Sequence, residues 1–242
     1  MVGSNYVNMG GTMKERVLFI GFEDCEYCQK ANNFLEVCGF DVDWLKSSKN
    51  RRDSLPPEYA SWQGDYIFHM KSYYILPKSL LDGASKAAVN FHPGSPEYPG
   101  SGCVNWALYN NEKTTGITIH FLNEHIDNGD IIKVFRIPIM PNDTIETILP
   151  RVHMKQLSAF YDLVTTIQKH NPIILEHFVE QNRNTKWASK VGRIREIDRL
   201  QVVDKNIPQE QLERIIRATA IGKFGPRLKL HGHEFRYYKE KQ

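Results

Sequence analysis

Asn90-Phe91-His92-Pro93-Gly94 and, thirty-five residues beyond His92, the Asp127 of Ile126-Asp127-Asn128-Gly129-Asp130 set an amide, an imidazole and a carboxylate among apolar and turn residues. Ala87 to Phe91 reads as a buried strand that Pro93-Gly94 ends at once. Residues two apart on a strand point the same way, so Asn90 and His92 face one side and Phe91 the other. That places a hydrogen-bond donor beside an acid/base group at the mouth of a sheet. Polar pairs are costly in a core, so two at one strand end mark a site.

A second chemical motif is Cys25-Glu26-Tyr27-Cys28. It falls between a strand and a helix, the context in which a redox dithiol sits, so a thiol redox protein is the alternative from another functional class. The plainer reading is two small residues that pack in a helix's first turn. Cys38 and Cys103 add no second CxxC and no histidine is a sequence neighbour, so no metal site is expected.

The elements that must position these groups follow from periodicity. Arg16 to Ile20 predicts a first buried strand, and Cys25 to Cys38 a helix with Ala31, Phe34, Leu35 and Cys38 at three- and four-residue spacings. Phe40 to Leu45 and Asp65 to His69 predict strands, separated by a loop or short helix over Lys46 to Pro57. Tyr73 to Leu81 contains a short helix, and Ala87 to His92 is the strand bearing the amide and imidazole. Beyond it come a helix over Ser101 to Asn110 and strands over Gly116 to Leu122 and Ile131 to Ile139. Thr144 to His170 predicts a long helix with Asp143 as N-cap and Pro150 as a kink or a false start. Gln209 to Ala218 predicts a helix, and Leu228 to Tyr238 a hairpin turning at Gly232. The alternation of strand and helix implies an α/β fold: a Rossmann-like, mostly parallel sheet with an antiparallel extension, plus a small C-terminal α+β appendage.

With 242 residues, 41% hydrophobic and 24% charged, the chain has the composition of a soluble globular protein. No run approaches the roughly eighteen apolar residues of a membrane span, so no membrane partner is expected. Met1 to Thr12 is polar and glycine-bearing and has no apolar core; it reads as a disordered lead-in rather than a signal peptide, with Met13 as a candidate start and the cytoplasm as the expected location. The expected division is therefore lead-in 1–12, catalytic domain 13–170 and C-terminal region 171–242. Net charge is +3, but Arg183 to Gln242 holds fifteen Lys+Arg against seven Asp+Glu. A basic C-terminal third suits an anion such as a diphosphate, or else is a solvated surface.

Five motifs occur in order: Tyr74-Ile75-Leu76-Pro77-Lys78-Ser79-Leu80-Leu81, Val89-Asn90-Phe91-His92-Pro93, Tyr98-Pro99-Gly100, Thr115-Gly116-Ile117-Thr118 and Ile126-Asp127-Asn128-Gly129-Asp130. From about Asp65 to Ile139 the chain thereby resembles the folate-dependent N-formyltransferases, which formylate an amine with N10-formyltetrahydrofolate. The resemblance implies that Asn90, His92 and Asp127 are the catalytic trio. A free amine attacks the formyl carbon and gives a tetrahedral oxyanion. Asn90 would donate to that oxygen, His92 would take the amine's proton and pass it to N10, and Asp127 would orient the imidazole. The resemblance also implies that Tyr73, Tyr74, Ile75 and Leu76, with the loop residues Asn123, Glu124, His125 and Ile126, hold the folate through their backbone. Ile75 and Leu76 are at the same time expected in the core.

Three branches of that family differ in the amine. The glycinamide ribonucleotide enzymes carry a glycine-rich phosphate loop after the first strand, where this chain has Gly21-Phe22-Glu23-Asp24-Cys25-Glu26, acidic and glycine-poor. The methionyl-tRNA enzymes have a larger C-terminal barrel, for which too few residues follow the long helix. The sugar-nucleotide N-formyltransferases fit best, through Trp187, Arg193, Ile197-Asp198, Ile216-Arg217-Ala218 and the final hairpin. On that resemblance the acceptor is a nucleotide-linked amino-dideoxy sugar. Arg193, Arg195 and Arg199 are the diphosphate candidates, and Trp187 could stack on a base. Nucleic acid is not expected as a partner, whereas a homodimer is.

Overall fold

The computed structural model describes residues 14–48, 50 and 53–238; the expected lead-in, 1–12, lies outside the described residues. Six strands, β1 (Arg16–Phe22), β2 (Asp41–Ser47), β3 (Gly64–Met70), β4 (Ala84–His92), β5 (Thr114–Phe121) and β6 (Ile131–Pro138), form one sheet in the order β2-β1-β3-β4-β5-β6. The first four run parallel. In the antiparallel extension, Phe121 N–H bonds to the Asp130 carbonyl and Ile139 N–H to the Lys113 carbonyl, at 3.0 and 2.9 Å. The α/β class read from the alternation of elements is the architecture found.

The chain divides into two compact units. One holds the described residues up to His92 with Ile119–Lys133 and Gln156–Asn184; the other holds Pro93–Thr118, Val134–Lys155 and the described residues from Thr185 on. In the first unit both faces of the parallel strands are apolar, as buried parallel sheets require. Leu18, Ile20, Ile67, Leu76 and Leu80 cluster on one face with Leu45 and Trp62. Phe19, Phe68 and Phe91 meet Phe160 on the other, with ring centroids 4.9–5.8 Å from it. Such ring pairs add about 0.5–1.5 kcal/mol each beyond area burial, which makes the end of β4 a stiff platform. Helix α1 (Glu26–Val37) buries Cys28, Ala31 and Leu35 along one stripe.

Helices α2 (Lys78–Leu81) and α3 (Cys103–Tyr109) fall where short helices were expected. Helix α4 (Ile145–His170) runs unbroken through Pro150. The proline stands sixth in the helix, so the ring removes a single intrahelical bond, the one to the Glu146 carbonyl. The helix begins at Ile145, so Asp143 stands one residue before the N-cap position. It pairs with Arg151 at 2.7 Å and accepts the Met140 N–H at 2.6 Å and the Thr147 hydroxyl at 3.1 Å.

Two helices escaped the periodicity reading, α5 (Ile174–Gln181) and α6 (Ile194–Leu200). They are followed by α7 (Gln209–Thr219) and a three-stranded sheet in which β7 (Val202–Val203) lies parallel to β8 (Arg227–Leu230) and β8 antiparallel to β9 (His233–Arg236). The β8–β9 turn is at His231-Gly232, where Gly232 takes φ +83, as read from the sequence. Part of the basic surplus is structural. Arg217 donates to the Asp143 carbonyl and to Asn111, and Arg214 donates to the Tyr109 carbonyl while lying 4.4 Å from that residue's ring. Among the described residues no helix is long and apolar enough to cross a membrane.

Candidate active site

The register of the parallel strands sets one row of residues across the sheet: Ile20 on β1, His69 on β3 and Asn90 on β4 are neighbours. Asn90 and His92 share the face of Ala88, while Phe91 lies in the aromatic core, as period two requires. The buried Gln156 side chain donates to the Phe91 carbonyl at 2.5 Å, pinning the backbone between the two polar residues. Beyond β5 the chain loops from Leu122 to Gly129 and returns at Asp130. Asn123 Oδ1 accepts the His125 N–H at 2.9 Å, an Asx turn. Asp127 itself takes the left-handed conformation, φ 41, which aspartate tolerates better than most residues.

That loop delivers the carboxylate to the strand end. Asp127 Oδ2 lies 3.1 Å from His92 Nδ1. Its Oδ1 accepts from Asn90 Nδ2 at 3.1 Å and lies 3.2 Å from His120 Nε2. Asn90 Nδ2 is also 3.0 Å from His120 Nε2, and Asn90 Oδ1 is 2.9 Å from His69 Nδ1. His120 Nδ1 lies 2.8 Å from the Phe121 carbonyl, which can only accept, so that nitrogen carries a proton. Asp127 thus touches both of the other residues singled out in the sequence, with two further histidines closing the network.

His69 and His120 were missed by sequence reasoning. His120 sits within the buried run Gly116 to His120 and His69 within Tyr66 to Met70, where a single polar residue reads as a satisfied core group. The available signal was parity: His69 is two residues from Ile67 on β3, the same spacing that made Asn90 and His92 conspicuous on β4.

Burial alone would push the Asp127 carboxyl up. The His92 and His120 rings outweigh it and hold it well below its ordinary value of 3.8. A carboxyl whose folded pKa is depressed stabilises the fold above its unfolded pKa, and that contribution is lost as pH falls through the folded value. Wild type should therefore be more thermostable than Asp127→Asn at pH 7, and the gap should close below about pH 4. A gap that stays constant from pH 7 to pH 2 would refute the ionised, histidine-paired carboxylate.

The proposed folate segments both lie in the first unit. Tyr73 is partly exposed and packs its ring 5.1 Å from that of Phe22. Tyr74 N–H bonds to Ser72 Oγ at 3.2 Å, and Leu76 is buried. Ile75, expected in the core, is instead 66% exposed in a stretch before α2 that has no regular secondary structure; Ile126 is 49% exposed.

Trp187, Arg193, Arg195 and Arg199 belong to the second unit. Trp187 is half-buried and the three arginines are exposed. Arg193 precedes α6 and its N–H bonds to Glu196 at 3.1 Å; Arg195 and Arg199 are on that helix.

Cys25 and Cys28 are free, buried thiols at the start of α1. Cys28 Sγ lies 3.6 Å from the Met70 carbonyl. A hydrogen bond from the Cys28 thiol pulls Cys25 down to about 5, against the effect of burial, while the same bond and burial push Cys28 up.

Comparison with known proteins places this arrangement. The chain is 27% identical over 175 residues to the GDP-perosamine N-formyltransferase of Brucella melitensis, which covers 72% of this chain and 64% of that protein. The chain thus spans just under two thirds of the length of that relative. In fold it resembles a sugar N-formyltransferase from Shewanella, with a TM-score of 0.71 at 19% identity over 94% of this chain and 98% of that one. It also resembles the N-formyltransferase of Helicobacter canadensis in complex with folinic acid and dTDP-3-aminofucose, with a TM-score of 0.54 at 18% identity over 65% of each chain. The formyl transferase family model matches residues 5–164, and this chain belongs to the formyl transferase family.

Proposed function

We propose that this protein transfers a formyl group from N10-formyltetrahydrofolate to the amine of a nucleotide-linked amino-dideoxy sugar, GDP- or dTDP-linked, for surface polysaccharide such as O-antigen. The observation that carries the reading is the contact of Asn90, His92 and Asp127 at one strand end in a member of this family. The acceptor class is supported by the relative that acts on GDP-perosamine and by the fold neighbour holding dTDP-3-aminofucose with folinic acid.

The bound folate supplies the formyl group; this chain's residues do the rest. The Asn90 amide donates to the formyl oxygen as negative charge develops there, a role worth on the order of 10²–10³ in rate. His92, whose Nδ1 lies 3.1 Å from Asp127 Oδ2, takes the amine's proton and passes it to the departing N10. Asp127 stays ionised and stabilises the imidazolium that results.

On this reading residues 13–170 carry the chemistry, and 171–242 bind the nucleotide or join two subunits. Arg193, Arg195 and Arg199 hold the diphosphate and Trp187 stacks on the base. The protein works as a cytoplasmic homodimer.

The test is incubation with formyltetrahydrofolate and a panel of GDP- and dTDP-linked amino sugars, glycinamide ribonucleotide and Met-tRNA, read by mass spectrometry. A gain of one formyl group on an amino sugar nucleotide is expected, and Cys25→Ser/Cys28→Ser should form the same product. Formylation of Met-tRNA or glycinamide ribonucleotide alone would overturn the acceptor. Loss of all transfer in the folded serine variant would favour the dithiol.

A further inference from the structure

We propose that His69 is a positioning residue for formyl transfer, donating from Nδ1 to Asn90 Oδ1 and so locking the amide with its NH₂ end toward Asp127 and the reacting oxygen. The inference rests on the function proposed above and adds a residue to that site.

It follows from which atoms can donate. An ionised carboxylate only accepts, so the Asn90 atom 3.1 Å from Asp127 Oδ1 must be the NH₂ nitrogen. The amide oxygen then faces β3, where His69 Nδ1 is 2.9 Å away. An amide oxygen also only accepts, so Nδ1 must carry the proton. The opposite amide orientation would set two oxygens against each other at the Asp127 side and aim the NH₂ at His69. His69 and Asp127 thus grip the amide from its two ends and exclude the same wrong orientation.

Two further observations distinguish His69 from a histidine that merely packs. It is buried at the centre of the row Ile20, His69 and Asn90, in register with both neighbours. Its ring makes its side-chain hydrogen bond to Asn90, with the Tyr74 backbone as a further partner. Burial, the largest influence, disfavours its charged form even though Asn90 and Asp127 favour it, with His120 the other titratable group facing it. A neutral ring keeps a single proton on Nδ1 and leaves the Asp127 charge to His92 and His120.

Three measurements test this. In wild type, 15N NMR of the imidazoles should show His69 as the neutral Nδ1–H form; an Nε2–H form would overturn the proposal with no assay at all. Steady-state kinetics should show His69→Asn, whose amide nitrogen takes the place of Nδ1, near the wild-type kcat. His69→Leu, which cannot donate, should lose kcat by on the order of 10²-fold with KM for the acceptor little changed. Adding His69→Leu to Asn90→Ala should cost nothing more, since the group it positions is gone. A His69→Leu enzyme with wild-type kcat, or losses that multiply in the double variant, would overturn the role. If wild type formylates none of the acceptors, the proposed function fails instead, and the NMR result still decides how Asn90 is held.

Discussion

His92→Asn should lower kcat for formyl transfer by about 10²–10⁴-fold, the usual worth of a positioned acid/base group, while leaving the protein folded. The substitution is chosen for what it keeps. An asparagine Nδ2 occupies the place of His92 Nδ1, so Asp127 Oδ2 retains a donor where the imidazole sat at 3.1 Å and the buried carboxylate is not stranded. What disappears is the imidazole, the acid/base group that the proposed mechanism uses. Asn90→Ala removes the other half of the pair and should cost about 10²–10³-fold through the oxyanion. It also deprives Asp127 Oδ1 and His69 Nδ1 of a shared partner, so its melting temperature should fall further than that of His92→Asn. The two losses should not multiply, because both variants disable one transition state. Thermal unfolding together with kcat decides the matter. A folded His92→Asn enzyme with full activity would remove His92 from the chemistry and with it the assignment of the site.

Much of this site was legible because strand parity is a strict rule. A two-residue spacing with a proline-glycine stop put Asn90 and His92 on one face at a strand end, and the structure has them there. Asp127 was reachable through the ordered motifs but not by spacing, since a carboxylate thirty-five residues away is brought close by the return of β5, a tertiary event. His69 and His120 stayed hidden because a polar residue inside an apolar run becomes informative only when the register shows what faces it. The same limit explains Ile75: between β3 and α2 the chain has no regular structure whose period could be read, so hydrophobicity alone misplaced an isoleucine that is exposed. Helices α5 and α6 were lost to punctuation. Pro172 and Gly192, residue types that ordinarily punctuate loops, each lie just before a helix, and the apolar spacing of Ile174, Leu175 and Phe178 was there to be used. Charge counting erred in a related way. Arg214 and Arg217 entered the basic surplus as surface charge, although both fix α7 to main-chain carbonyls.

Gly129→Ala should disable the protein without touching a reacting group. In an Asp-Asn-Gly sequence the glycine is ordinarily credited with the left-handed turn, but here Asp127 takes the positive φ. Gly129 is needed for a different reason: a Cβ there would stand 1.8 Å from the Phe121 carbonyl oxygen and 2.8 Å from its carbon. Backbone cannot yield as a side-chain tip can, so the loop or the end of β5 must move by more than an ångström. Either movement reaches the site. The Phe121 oxygen is the atom that holds His120 Nδ1 at 2.8 Å, and the loop is the segment that carries Asp127 to His92 and Asn90. The expected result is a loss of about 1–3 kcal/mol or more of stability from forced overpacking, which at this chain length is about 2–4 °C of melting temperature per kcal/mol. With it goes a fall in kcat of on the order of 10²-fold, the cost of an ångström's misplacement of catalytic groups. Because the displacement acts on Asp127 rather than on the acceptor, KM should change less than kcat. An alanine variant with both the wild-type melting temperature and the wild-type kcat would mean that the loop does not lie against β5 as described, and that Asp127 reaches His92 by some other path.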